Sequence, residues 1–386
     1  MMIPFNLPYI TGNEISYISD AIASGSHAGN YHFNNRVKDL IFQKYGLRGV
    51  FLTPSCTAAL EMGALIANIQ PGDEVIMPSF TFSSTANAMV IFGAKPVFCE
   101  VRASDMNIDV ARIEKLITPR TKMIIPIDYA GVPCDIDEIM IIAEKYNLTV
   151  MQDCAQSYGS LYKGHISGKR AHIACYSFHD TKNFSCGEGG AIVVNKPEWR
   201  ERAEYMAEKG TDRSKVVNGL QSKYSWIEKG SSYLLSDILA AMLLAQLEQE
   251  EEIKQKRKKI YDIYQERLKK YEEKGFFLLQ HLEDYKETNY HCFWLIFNSN
   301  QKRKVFIDRM GKEGIAAYTS YIPLHSSKMG LKMGYTENDL PFTEDLASRL
   351  VRLPLYPNLT QVEVDFIVTT AEKILKDYIN KEELHK

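Results

Sequence analysis

The chain has 386 residues, enough for one large domain and a smaller one. With 45% hydrophobic and 24% charged residues it has the balance of an ordinary globular protein, and a formal net charge of -2 gives no ground for binding nucleic acid or an anionic membrane. Its seven cysteines are scattered and form no CxxC pair, which suggests neither a zinc site nor a disulfide framework and fits reduced cytoplasmic thiols. The first eight residues lack a basic stretch followed by an apolar core, and no window approaches the ~20 apolar residues of a membrane span. The sequence therefore reads as soluble and cytoplasmic.

In chain order, Val50-Phe51-Leu52 predicts a strand leading into a helix over 57–69. Glu74-Val75-Ile76-Met77 and Lys95-Pro96-Val97-Phe98-Cys99 read as strands on either side of a helix over 84–92. Residues 122–127 predict another strand, 136–146 a helix and 148–151 a strand, while 174–178 and 190–194 complete the set. Short apolar strands joined by helices predict an α/β doubly wound layer sandwich around a mostly parallel, covered sheet. Ligands in such sheets lie at the carboxyl ends of the strands.

Residues 238–275 change character. An Ala-rich apolar stretch runs into a Glu- and Lys-dense one, predicting one long amphipathic helix with a solvated charged face. Glutamates match the lysines, which argues against a nucleic-acid-binding helix. The expected division is a large domain over 1–250, N-terminal segment included, and a helix plus small C-terminal domain over 251–386. With no repeat, low-complexity tract or Gly/Ser linker, the two are expected to pack as one rigid unit.

Four stretches fall where a ligand is expected. Thr53-Pro54-Ser55-Cys56-Thr57 turns from strand to helix, where free N–H groups and the helix dipole suit an anion, although a plain Ser/Thr cap has the same appearance. Asp153, at the tip of a buried strand, is costly there unless a cation meets it; the alternative is a cap for the next turn. Lys182, in Ser177-Phe178-His179-Asp180-Thr181-Lys182-Asn183, follows a strand amid small polar residues, where partial burial favours the neutral amine needed for imine chemistry. Cys186-Gly187-Glu188-Gly189-Gly190 reads as a structural turn. His172 and Cys175 read as packed core.

Together the first three are the fixed points that a pyridoxal phosphate (PLP) ring needs, for its phosphate, its pyridine nitrogen and its aldehyde. A protonated pyridine nitrogen is a suitable cation for Asp153, and keeping that proton makes the ring an electron sink. Phe82 follows another strand and is placed either to stack on the ring or to pack in the core.

These residues resemble the sugar-nucleotide aminotransferases of the DegT/StrS type, from Ile3-Pro4-Phe5 to near the C-terminus. The resemblance rests on Pro71-Gly72-Asp73-Glu74-Val75-Ile76, Asp153-x-Ala155-Gln156, Ser177-Phe178-x-x-Thr181-Lys182-Asn183, Gly187-Glu188-Gly189-Gly190 and Tyr321-Ile322-Pro323-Leu324-His325. It implies the PLP-dependent transferase fold of type I, with a central sheet in an α/β/α large domain and a smaller α+β C-terminal domain. Thr53–Thr57, Lys209-Gly210-Thr211 and Gly230-Ser231-Ser232-Tyr233 look closest to the TDP-4-keto-6-deoxyglucose 4-aminotransferases, which supply surface glycans.

By this resemblance Lys182 is the Schiff-base lysine and proton shuttle, Asp153 pairs with the pyridinium, Gln156 reaches the ring hydroxyl and Phe82 stacks. The backbone at Cys56 and Thr57 and the Ser177 hydroxyl hold the phosphate, while Tyr321 and His325 face substrate. The family is dimeric with sites at the subunit boundary, so Ser232 would approach the phosphate of the other chain. Many members carry Asn at the Ser232 position, a basic residue near Leu234, His at Asp128 and Glu at Gln152. The related dehydratases replace the lysine with histidine; Lys182 implies transamination instead. Glutamate is the expected donor and a TDP-linked 4-keto-6-deoxyhexose the acceptor. The galacto product is the favoured one; amination at C3, the gluco configuration at C4, and a non-catalytic sensor or scaffold remain alternatives. A dinucleotide-dependent oxidoreductase does not, since residues 53–57 hold no glycine.

Overall fold

The computed structural model describes residues 2–383; residues 1 and 384–386, the outer ends of the two expected domains, lie outside it. Strands β1 (Val50–Thr53), β2 (Glu74–Pro78), β3 (Lys95–Cys99), β4 (Thr121–Ile124), β5 (Thr149–Asp153), β6 (Leu161–Tyr162), β7 (His165–Ile166), β8 (Ile173–Ser177) and β9 (Gly190–Val194) fall in the first half of the chain. Seven of them form the main sheet in the order β1-β9-β8-β5-β4-β2-β3. Its pairings are parallel except those of β9, which runs antiparallel to both β1 and β8. This is the expected mostly parallel sheet.

Alternate residues feed opposite faces. Val75 and Met77 pack with the helices Cys56–Ile66, Ser83–Val90 and Arg200–Ala207. Ile76, Ile124 and Val150 pack with the helix Ile136–Lys145. The helices Glu14–Ala23, His32–Tyr45 and Asp237–Glu248 cover β1, β8 and β9 on that same side. With both faces covered, β2, β8 and β9 are buried along their whole length, which accounts for continuous apolar runs in place of alternation.

The expected single helix after residue 238 is two, Asp237–Glu248 and Glu250–Glu272, broken at Gln249 (φ -105°, ψ 20°). The break lets Glu250 turn inward, where it accepts a hydrogen bond from Tyr45 and pairs with Lys44 at 2.8 Å. The second helix packs on a three-stranded antiparallel sheet of β10 (Phe277–Leu279), β12 (Phe293–Phe297) and β13 (Leu350–Leu353), together with the helices Asn300–Lys312 and Gln361–Glu383. Between β10 and β12, β11 (Lys286–Glu287) pairs with β6 and so ties the two halves together.

The N-terminal segment meets both sides of the expected division at residue 250: Tyr9 and Thr11 meet Gln246 and Ala245, while Ile3 reaches across. Ile3 pairs with Ile315, donates to Gly314 O at 2.8 Å and is buried in the core of the C-terminal half. Among the described residues no helix is long and apolar enough to cross a membrane.

Candidate active site

The loops that follow β1, β2, β5 and β8 open into one cavity of about 470 Å³. Residues 5 and 6, 291 and 292, 321 and the β13 segment close its other side. Of the ten residues expected at the site, eight line this cavity: Cys56, Thr57, Phe82, Asp153, Gln156, Ser177, Lys182 and Tyr321.

After β1, Ser55 caps the helix Cys56–Ile66, its hydroxyl accepting from Ala58 N at 3.1 Å, while Ala59 N bonds Ser55 O. Among the described residues the N–H groups of Cys56 and Thr57 are thus left without an acceptor, as the first turn of a helix requires. The Thr57 hydroxyl donates to Ser84 Oγ at 2.8 Å and ties this helix start to that of Ser83–Val90. Gly190 passes directly beneath: a Cβ there would lie 2.5 Å from Cys56 N, so only glycine lets the strand and helix backbones approach this closely. The cap reading and the anion-site reading are both satisfied, by different atoms.

Asp153 ends β5 with 4% of its surface exposed. Its carboxylate accepts from Thr85 Oγ1 at 2.7 Å and from Ala155 N at 3.1 Å, and no cation pairs with it among the described residues. Burial pushes its pKa up against these donors. Lys182 sits in the β8–β9 loop, held by a turn from its own N–H to His179 O (2.9 Å) and by Asn183 Nδ2 to Asn289 O (2.8 Å). Desolvation lowers the pKa of its ammonium, which the nearby Asp153 carboxylate only partly offsets. A buried carboxylate without a cation, a lysine biased toward its neutral form and a ring of free N–H groups fit the ring nitrogen, aldehyde and phosphate of PLP.

Phe82 is 58% exposed, a large apolar face open to the cavity, with the Tyr321 ring 6.1 Å away. The Gln156 amide is held at both ends, accepting from Ala130 N and donating to Tyr321 Oη, each at 2.7 Å. Burial raises the Tyr321 phenol to about 12, so it stays protonated.

Two expected residues are elsewhere. His325, in place of the expected contact with substrate, is fully buried off the cavity, its Nδ1 2.7 Å from Ser79 Oγ and its Nε2 3.6 Å from Glu344. It fastens the Tyr321 segment to the end of β2. Ser232 is exposed and bridges Glu208, away from this chain's cavity. His172 accepts from Val150 N at 2.9 Å and Cys175 is buried, both structural as expected.

Sequence reasoning missed Thr85, Arg352, His291, Phe5 and Asn6. Only Thr85 carried a signal, as a hydroxyl in the first turn of a helix after β2. The others reach the cavity through tertiary packing.

A model of the DegT/DnrJ/EryC1/StrS aminotransferase family matches residues 8–372. The MJ1066 protein of Methanocaldococcus jannaschii is 34% identical over 87% of this chain and 89% of its own. The spore coat polysaccharide biosynthesis protein SpsC of Bacillus subtilis is 29% identical over 97% of each. The structure of Spr1654 from Streptococcus pneumoniae, described as a sugar aminotransferase and solved in apo, PMP and PLP forms, is similar at TM-score 0.90 and 26% identity in its apo form, covering 99% of this chain and all (100%) of that one. With the fold, the site and a family match over nearly its whole length in agreement, the chain belongs to the DegT/DnrJ/EryC1/StrS aminotransferase family.

Proposed function

We propose that this chain is a PLP-dependent sugar-nucleotide aminotransferase. It moves the amino group of L-glutamate onto C4 of a TDP-linked 4-keto-6-deoxyhexose, releasing 2-oxoglutarate and a TDP-4-amino-4,6-dideoxyhexose, of the galacto form, for surface glycans. The observation that carries this reading is the pairing of a buried, cation-free Asp153 with an enclosed Lys182 in one cavity. Support for a sugar acceptor comes from the description of Spr1654, and for a glycan product from the naming of SpsC. The TDP group and C4 rest on the sequence motifs.

When bound, PLP supplies the electron sink that lets an amino group leave one carbon and join another. Asp153 holds a proton on the ring nitrogen, and Thr85 and Ala155 N hold Asp153. Lys182 Nζ takes the proton from the donor α-carbon and later delivers one to the sugar carbon. Gln156, fixed by Ala130 and Tyr321, would meet the ring hydroxyl. Phe82 would cover one ring face. The N–H groups of Cys56 and Thr57 and the Ser177 hydroxyl would hold the phosphate, joined by Ser232 of the partner subunit in a cytoplasmic homodimer. Tyr321 lies toward the substrate.

The test is the absorption spectrum of the purified protein with PLP, before and after glutamate. A visible band that bleaches on adding glutamate supports the cofactor, the lysine and the donor together. A folded protein that develops no band overturns the reading. Supplying 4-keto and 3-keto sugar nucleotides with glutamate and identifying the aminated product then separates C4 from C3.

A further inference from the structure

Four basic side chains line the cavity: His179, Lys182, His291 and Arg352. Three are accounted for. Lys182 has its role in the proposed reaction. His179 stands between Asp180 and Glu188, at 2.9 and 3.5 Å. His291 is driven to its neutral form by burial, with Nδ1 2.9 Å from Asn183 Oδ1.

Arg352 is different. It lies on β13, clamped through its own backbone to Tyr318 by a pair of hydrogen bonds of 3.1 and 2.7 Å. Its guanidinium stacks over the Phe5 ring at 4.8 Å. It spends Nε and Nη2 on one carbonyl, that of Thr319, at 3.3 and 2.9 Å. No carboxylate among the described residues lies within ion-pair distance of it, so the remaining donors of its planar fork are uncommitted.

A fixed, stacked guanidinium with free donors suits an oxyanion, and a carboxylate matches its fork in two parallel bonds. Among substrates of the proposed reaction, oxyanions come from the amino-acid donor or from the phosphates of the sugar nucleotide. We infer that Arg352 anchors the α-carboxylate of the amino donor and so makes the site select amino acids over simple amines; this rests on the aminotransferase reading above. Phe5 and the Thr319 carbonyl are its positioning groups. The N-terminal segment, held on the C-terminal half at Ile3 and Ile315, thereby helps to build the donor site.

The experiment compares wild type with Arg352→Gln and Arg352→Lys, all loaded with PLP and checked for an unchanged melting temperature. The expected result is a glutamate requirement for bleaching the visible band that is roughly 10- to 100-fold higher in Arg352→Gln, and a partial rescue in Arg352→Lys. Ethylamine, which has no carboxylate, should bleach wild type and Arg352→Gln equally slowly. Calorimetric binding of glutarate should weaken in parallel. An unchanged glutamate requirement overturns the inference. So does an equal loss with glutamate and ethylamine, which marks a structural role, or a defect confined to the sugar nucleotide, which assigns Arg352 to a phosphate. If wild type shows no band with PLP, the aminotransferase reading fails by itself, and glutarate calorimetry on the cofactor-free proteins still decides whether Arg352 binds a carboxylate.

Discussion

Desolvation works against charge on both Lys182 and Asp153, lowering one pKa and raising the other. Lys182→Ala is expected to abolish turnover with the circular dichroism spectrum unchanged; substantial residual activity would remove the lysine from its role. Asp153→Asn is expected to keep some cofactor yet lose roughly two orders of magnitude in rate, since the ring proton is no longer held. A second consequence concerns stability. The Lys182 ammonium has a folded pKa below its ordinary 10.5, so folding the cofactor-free protein carries a cost that is full below the folded pKa and fades as pH rises toward 10.5. Cofactor-free Lys182→Met should therefore melt higher than wild type at neutral pH, with the gap closing in alkali. A gap that does not move with pH would assign it to packing alone. These two residues were legible in the sequence because Asp153 ends a strand and Lys182 lies in the polar loop that follows one. Arg352 and His291 were not, since nothing local to either marks the cavity they reach. His325 shows the converse: its motif was readable, but whether the ring faced the cavity or the core depended on Ser79, far off in sequence.

Elements set the precision of the site. Ser55 caps the helix that leaves Cys56 N and Thr57 N free, and Ser55→Ala should cost about 1 kcal/mol in thermal or denaturant unfolding. Gly190→Ala places a methyl 2.5 Å from Cys56 N, a backbone atom with no room to retreat. The expected result is roughly tenfold weaker PLP retention in a titration, with chemistry at Lys182 otherwise normal. Unchanged retention would show that the helix start is not the phosphate site. Strand positions in the main sheet were readable to within a residue or two, except the end of β4, expected at 127 and found at Ile124, because continuous apolar runs have one meaning in a sheet covered on both sides. The long charged helix was read correctly as amphipathic, with Ile260, Tyr264 and Leu268 buried and Glu251, Glu252 and Lys259 exposed, but not in every charge. Its glutamates and lysines predicted a solvated face, yet Glu250 and Arg257 are buried, and Arg257 donates to the carbonyls of Tyr290, His291 and Leu355. Burial of a charge is decided by partners brought in from other segments, which composition does not show.

For the molecule as a whole, the apolar surface around residues 217–227 stands out: Leu220 is 75% and Trp226 80% exposed. Exposed apolar groups so close together mark an interface in most soluble proteins, which supports the proposed homodimer. Trp226→Asp should shift the protein toward monomer in sedimentation experiments and reduce activity along with it, since Ser232 is proposed to serve the neighbouring site. A dimer that persists would place the interface elsewhere. The antiparallel placement of β9 also bears on how the protein assembles. Because β1 meets the main sheet only through β9, the two lips of the phosphate cup, near residues 55 and 190, come from segments far apart in the chain. Closing a contact of such long sequence separation costs more chain entropy than closing a local one. The cup is therefore expected to open readily when nothing bridges its lips. Amide exchange at Cys56 and Thr57 should be fast in the cofactor-free protein and slow sharply once PLP is bound, making the cofactor the final staple of its own cradle.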